Sequence, residues 1–273
     1  MSSISFAKGH GTRNDFVLLL DPSGELELSP AHIRFLCDRR AGVGADGILR
    51  AVRAEAVPEW DGPGDQWFMD YRNADGSIAE MCGNGLRVFL RHLAEQGLVD
   101  ATERVPVATR AGARTGWFLP DGRVAVTMGR VQLGEQVEVR LGEQSWPARA
   151  VSVGNPHAVS VLRSAQSLSG LELQSAPIAV PAEVFPAGAN FEFVVSSGPG
   201  DISMRVYERG VGETASCGTG VVAAAAAAGG SEHCRVRVRG GELEVDLSGE
   251  EAVLIGPAVI VAHGVVDWPD ELG

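Results

Sequence analysis

Two cysteines stand in matched settings. Cys82 lies in Glu80-Met81-Cys82-Gly83-Asn84-Gly85, and Cys217 lies in Ser216-Cys217-Gly218-Thr219-Gly220. Each is followed by an apolar, helix-forming run. The first amides of a helix lack intrahelical partners, and the aligned peptide dipoles place positive potential there. Glycine lets a ligand approach that backbone closely. Such an end suits a carboxylate and is expected to lower the pKa of an adjacent thiol toward neutrality. Two such ends serving one substrate would hold its carboxylate between two thiols. The reaction that fits is inversion at an α-carbon: a thiolate takes the proton from one face, and the opposite thiol returns one to the other. The helix ends would stabilise the carbanion's charge as it spreads into the carboxylate.

A free cysteine is most often a small buried hydrophobe. That reading suits Cys37 and Cys234, which lack the glycine setting. None of the four cysteines forms a C-x-x-C pair, and no metal-ligand set is visible. The usual cofactor for α-carbon inversion is pyridoxal phosphate, which needs a Schiff-base lysine. Lys8 is the only lysine in the chain, and nothing around it suggests a phosphate cradle. A cofactor-free route is therefore expected.

The elements that position the cysteines are legible in outline. The run 16–20 (FVLLL) and segments 47–52 and 66–71 read as strands, and Ser29-Pro30 opens a helix to about Arg40. Residues 86–96 place Leu86, Phe89, Leu90 and Leu93 on one helical face, ended by Gly97. Strands follow near 104–109, 114–119 and 123–128, and again near 136–141, 147–153, 157–162, 191–195 and 202–207. The alanine-rich run 219–228 reads as a buried helix, since alanine has the best helix propensity and lets a sheet approach closely. Four strands, near 235–239, 242–247, 252–255 and 258–262, close the chain.

Two pseudo-symmetric units follow from this echo, residues 1–126 with 264–273 and residues 127–263. The fold class is α/β (α+β), with the site in the cleft between the units. The length of 273 residues is comfortable for two domains, each of about 100–150 residues. A formal net charge of −12 disfavours nucleic acid, which needs cations to displace phosphate counterions. No apolar stretch is long enough to span a bilayer, and residues 1–16 lack the pattern of a signal peptide. A cytoplasmic setting with reduced thiols is expected. Gly42-Val43-Gly44-Ala45-Asp46-Gly47 matches G-x-G-x-x-G, but a helix precedes it and a strand follows, the reverse of the dinucleotide fingerprint.

With these residues in place, the chain resembles the diaminopimelate epimerases over nearly its whole length. The matching segments are 10–16 (HGTRNDF), 42–47, 73–77 (NADGS), 80–85, 154–158 (GNPHA), 189–191, 205–210 (RVYERG), 212–214 and 217–220. The resemblance implies interconversion of LL- and meso-2,6-diaminopimelate, two similar domains each with a sheet curled around a central helix, and a homodimer. It implies that Cys82 and Cys217 are the bases and that Gly83-Asn84 and Gly218-Thr219 cradle the reacting carboxylate. Asn14, Asn73, Asn155, Asn190, Glu208 and Arg209 would be substrate contacts, with His157 in support. Arg209 offers a planar fork for a distal carboxylate, and Glu208 can accept from an ammonium. Arg13 stands where the family commonly has glycine, and Gly47 where some members carry a glutamine. Two alternatives remain at this point: a proline or hydroxyproline racemase, and a non-catalytic amino-acid-binding or thiol-sensing protein.

Overall fold

Parallel neighbouring strands cannot be joined by a tight turn, because the chain must first travel back along the strand. This chain makes the return through a helix in four places, two in each half of the molecule. The computed structural model describes residues 2–268. It divides into one unit holding the described residues up to Val126 together with those from Pro257 onward, and a second unit, Thr127–Gly256.

In the first unit, strand Asn14–Leu20 leads through helix Pro30–Cys37 to its parallel neighbour Gly47–Arg53. Strand Trp67–Asn73 then leads through helix Gly83–Glu95 to its parallel neighbour Val105–Ala108. Antiparallel pairings complete a mixed sheet: Ser2–Gly11 pairs with both Asn14–Leu20 and Val259–Trp268, and Val105–Ala108 continues to Arg114–Phe118. Ser29 caps the first helix as its sequence indicates, accepting from the His32 amide, with Pro30 at the first turn. That helix stops at Cys37, short of Arg40, because Asp38 turns extended. It packs Ile33 and Leu36 on Val17, Leu19 and Ile48.

The second unit repeats the plan. Strand Pro156–Val161 leads through the short helix Ala165–Ser169 to its parallel neighbour Asn190–Gly198. Strand Asp201–Glu208 leads through helix Gly218–Ala228 to its parallel neighbour His233–Val238. The alanine run is helical, and Val221 to Ala225 are almost completely buried. Burying these small side chains keeps strands close on every side.

Three differences from the sequence reading have physical causes. The helix expected from 86 begins at Gly83, because the glycines of its first turn carry no apolar pattern. Strand Ser2–Gly11 is absent from the sequence reading, because its alternation is short, Ile4 and Phe6 against Ser3 and Ser5, and gives way to Lys8-Gly9-His10-Gly11; pairing on both edges carries the strand through to Gly11. The chain rejoins the first unit at Pro257, before the 264 of the sequence reading, because the whole strand Val259–Trp268 runs along residues 2–10. Positions 269–273 of that reading lie outside the described residues.

Candidate active site

Both cysteines occupy the same backbone position. Each is the last extended residue before a buried helix, Cys82 at φ −141°, ψ 117° and Cys217 at φ −118°, ψ 115°. Each lies in the connection that returns the chain between two parallel strands. The Cys82 sulfur takes the role usually played by a serine or aspartate oxygen, accepting from the Gly85 amide at 3.3 Å.

In the first unit, hydrogen bonds gather a cluster around Cys82. Its thiol donates to Asn14 Oδ1 at 3.6 Å, and Asn84 Nδ2 donates to the same oxygen at 3.3 Å. Asn14 Nδ2 in turn donates to Asp46 Oδ2 at 2.9 Å. Burial pushes the Asp46 carboxyl up, against the hydrogen bonds from Asn14 and the Asp15 amide. Asn73 is paired with Gly47, the residue after Asp46, and its side chain donates to Ser77 Oγ at 3.0 Å. No side chain fits at Gly47, where a Cβ would lie 2.5 Å from the Arg72 carbonyl oxygen. Asn14 is aimed by a tight hairpin: Gly11 pairs with Asn14, so Thr12 and Arg13 form a two-residue loop at φ 50° and 66°. Such loops need positive φ at both positions.

In the second unit, the cluster gathers around Cys217. Its sulfur lies 3.5 Å from Thr219 Oγ1, which accepts from Asn155 Nδ2 at 3.2 Å. Asn155 Oδ1 meets His157 Nε2 at 2.9 Å, and His157 Nδ1 meets Glu192 Oε1 at 2.7 Å. Glu208 accepts from the Thr214 hydroxyl, and its carboxyl is near enough to Cys217 to act on the charge of its thiol. Asn190, beside His157 in the parallel ladder, accepts the Arg209 amide on Oδ1 at 2.9 Å. The exposed Arg209 guanidinium donates to the Ala187 carbonyl at 2.9 Å.

The two thiols meet opposite electrostatics. Arg87, one turn into the first helix, is fully buried. Burial lowers its pKa to about 10, against a pull upward from Cys82. Its hydrogen bonds go to neutral oxygens, on Asn84, Gly83 and Pro257, so Cys82 is a natural seat for the compensating negative charge. Cys217 has carboxylates instead. Burial first, then Glu208 and Glu192, hold its thiol well above the usual cysteine range, with the Thr219 hydroxyl and Gly220 amide acting the other way. The expectation that each helix end lowers its thiol's pKa is corrected for Cys217: desolvation outweighs the helix end there.

Glu192, Asp46 and Arg87 were not among the residues singled out from the sequence. Glu192 had a signal, a lone carboxylate inside the apolar run FEFVV. Arg87 had little, since an arginine between Leu86 and Val88 reads as a solvated helix position. Lys8, the only lysine, is bonded to Asp15 at 2.6 Å and to the Gly44 carbonyl.

A family model described as diaminopimelate epimerase matches residues 6–134 and 149–261. The chain is 53% identical over 270 residues to the diaminopimelate epimerase of Thermobifida fusca, covering 96% of this chain and 97% of that protein. It is 48% identical to that of Streptomyces coelicolor, covering 97% and 96% respectively. Among solved structures, it superposes on a Bacillus anthracis phenazine biosynthesis protein of the PhzF family with a TM-score of 0.70 at 16% identity, covering 98% of this chain and all of that one. A hydroxyproline epimerase from Agrobacterium vitis gives 0.67 at 13% identity, covering 99% and 94%. At such identities the two structures speak for the fold alone.

Proposed function

Because the chain belongs to the diaminopimelate epimerase family, we propose that Cys82 and Cys217 are its two bases. The enzyme is an isomerase that interconverts LL- and meso-2,6-diaminopimelate, on the route to lysine and peptidoglycan precursors. The observation that carries the two-base assignment is the repeated helix cap: the same residue type, backbone conformation and following glycine, once per unit.

Cys82 starts as a thiol that shares its proton with Asn14 Oδ1 and becomes the thiolate more readily, helped by the buried Arg87 charge, whereas Cys217 is held as the thiol by burial and by carboxylates. Cys82 then removes the α-proton of one stereoisomer and Cys217 supplies a proton to the other face; the reverse reaction exchanges the roles. The amides of Gly83-Asn84 and Gly218-Thr219 take the reacting carboxylate, whose charge grows as the carbanion forms. The carboxyl of Glu208 lies against Cys217, so the ammonium it would accept from is that of the reacting head. Asn14, Asn73, Asn155 and Asn190 supply neutral donors and acceptors that fix orientation. Arg209, with most of its guanidinium uncommitted, reads the distal carboxylate. The reaction takes no cofactor, and the enzyme is a cytoplasmic homodimer.

The test is deuterium uptake from heavy water into the α-positions of LL-diaminopimelate, with reduced protein and no cofactor added. Uptake with conversion to the meso form is expected, and its absence would remove the epimerase reading. Cys82→Ala and Cys217→Ala should each abolish turnover while the fold persists; turnover retained by either variant would sink the two-base assignment.

A further inference from the structure

Glu192 sits mid-strand with no solvent exposure. Its Oε1 meets His157 Nδ1, while its Oε2 has no hydrogen-bond partner among the described residues. A buried carboxylate with one oxygen unmet is costly, so its presence calls for a reason. The helix makes room for it: a Cβ at Gly220 would lie 2.6 Å from Glu192 Oε1. That glycine therefore admits the carboxylate as well as shaping the helix end.

The bonds beyond His157 have a direction. Asn155 presents its amide oxygen to His157 Nε2 and its amide nitrogen to Thr219 Oγ1. An amide oxygen only accepts, so Nε2 carries a hydrogen. The Thr219 oxygen accepts from Asn155, which leaves its own hydrogen for the Cys217 sulfur 3.5 Å away. Every donor in the series points toward Cys217.

We propose that Glu192 is a positioning residue that sets this direction. One proton lies between Glu192 Oε1 and His157 Nδ1, which fixes Nε2–H on Asn155 and turns the Thr219 hydroxyl onto Cys217. The carboxylate and imidazole with that proton carry no net charge, which suits two side chains with no solvent exposure. The hydroxyl donor then supports the sulfur when it is a thiolate, after Cys217 has given up its proton. This catalytic consequence rests on the two-base reading; the hydrogen-bond direction does not.

Two measurements test the proposal. In protein labelled with 15N-histidine, long-range proton–nitrogen spectra report which nitrogens of His157 carry hydrogen, the signal being assigned by its loss in His157→Phe. A protonated Nε2 is expected; a bare Nε2 with a proton held on Nδ1 overturns the proposal. In turnover, Glu192→Leu should lower kcat at least tenfold with KM within about twofold. Glu192→Gln should recover most of the rate, because its amide can donate to Nδ1 and keep the same direction. Equal losses in the two variants, or a loss confined to KM, would overturn it. If the leucine variant does not fold, the glutamine variant and the nitrogen spectrum still decide. If wild-type protein exchanges no α-proton, the two-base reading fails while the spectrum still decides the direction.

Discussion

Arg87 donates to Asn84 Oδ1 at 2.9 Å from a position with no solvent exposure. Asn84 passes that restraint to Asn14, and Asn14 holds the Cys82 thiol. The buried cation thus both orients the cluster and offsets charge on its sulfur. Arg87→Met should slow alkylation of Cys82 at neutral pH about tenfold, which corresponds to about 1.4 kcal/mol, and lower kcat to match. Peptide-resolved mass spectrometry reads the alkylation, and circular dichroism checks the fold. An unchanged Cys82 rate would remove the cation from the account.

The cysteines should differ in wild-type protein. The Cys217 pKa is raised by burial and by Glu208 and Glu192, so this thiol stays protonated at neutral pH. Reactivity requires the thiolate. Iodoacetamide at pH 7 should label Cys82 first, by tenfold or more, and labelling of Cys217 should grow as pH rises into the alkaline range. Equal labelling at pH 7 would contradict the proposed resting state.

The hairpin at Thr12-Arg13 stores strain. A side chain in the left-handed region costs roughly 1–2 kcal/mol, and Arg13 is exposed there at φ 66°. Glycine relieves that cost but adds freedom to the unfolded chain. Arg13→Gly should therefore stabilise the protein by about 0.5–1 kcal/mol and leave KM near its wild-type value. Urea unfolding measures the first and steady-state kinetics the second; a destabilised variant would refute the strain argument.

His92 gives a pH signature. It lies buried in helix Gly83–Glu95, with neither ring nitrogen hydrogen-bonded among the described residues. Burial, then the neighbouring His263 charge, lower its pKa from 6.5 to about 4. The unfolded chain therefore takes up this proton first as pH falls. Stability is unaffected above 6.5, declines between 6.5 and 4, and levels off below, for a loss on the order of 3 kcal/mol. His92→Phe should flatten that part of the stability profile. An unaltered decline would show that other groups govern it.

The matched cysteines were legible because glycine and cysteine sit at fixed spacing before helix-forming runs, and those features are local. The alanine helix was legible for the same reason. Residues set by packing were not. Strand Ser2–Gly11 has one edge set by its neighbouring hairpin strand and the other by Val259–Trp268, a partner far along the sequence. Arg87 and Glu192 take their importance from what the fold buries them beside; Glu192 stands out only as a lone carboxylate between Phe191 and Phe193, and Leu86 and Val88 give no hint of a charge-bearing role for Arg87. The Cys217 environment shows the limit of motif reasoning. The helix end predicts an acidified thiol, but burial first, and then two carboxylates from strands Asn190–Gly198 and Asp201–Glu208, reverse it.

The pairing of Val259–Trp268 along residues 2–10 has a consequence for synthesis. A chain emerging from the ribosome presents its amino-terminal strands first, and domains tend to fold as units in that order. Here the second unit is continuous in sequence, Thr127–Gly256, whereas the first must wait for the residues from Pro257 onward. The later-made unit is thus free to finish first. Meanwhile strand Ser2–Gly11 keeps one edge open, exposed to chaperones or to wrong partners, until Val259–Trp268 has been made.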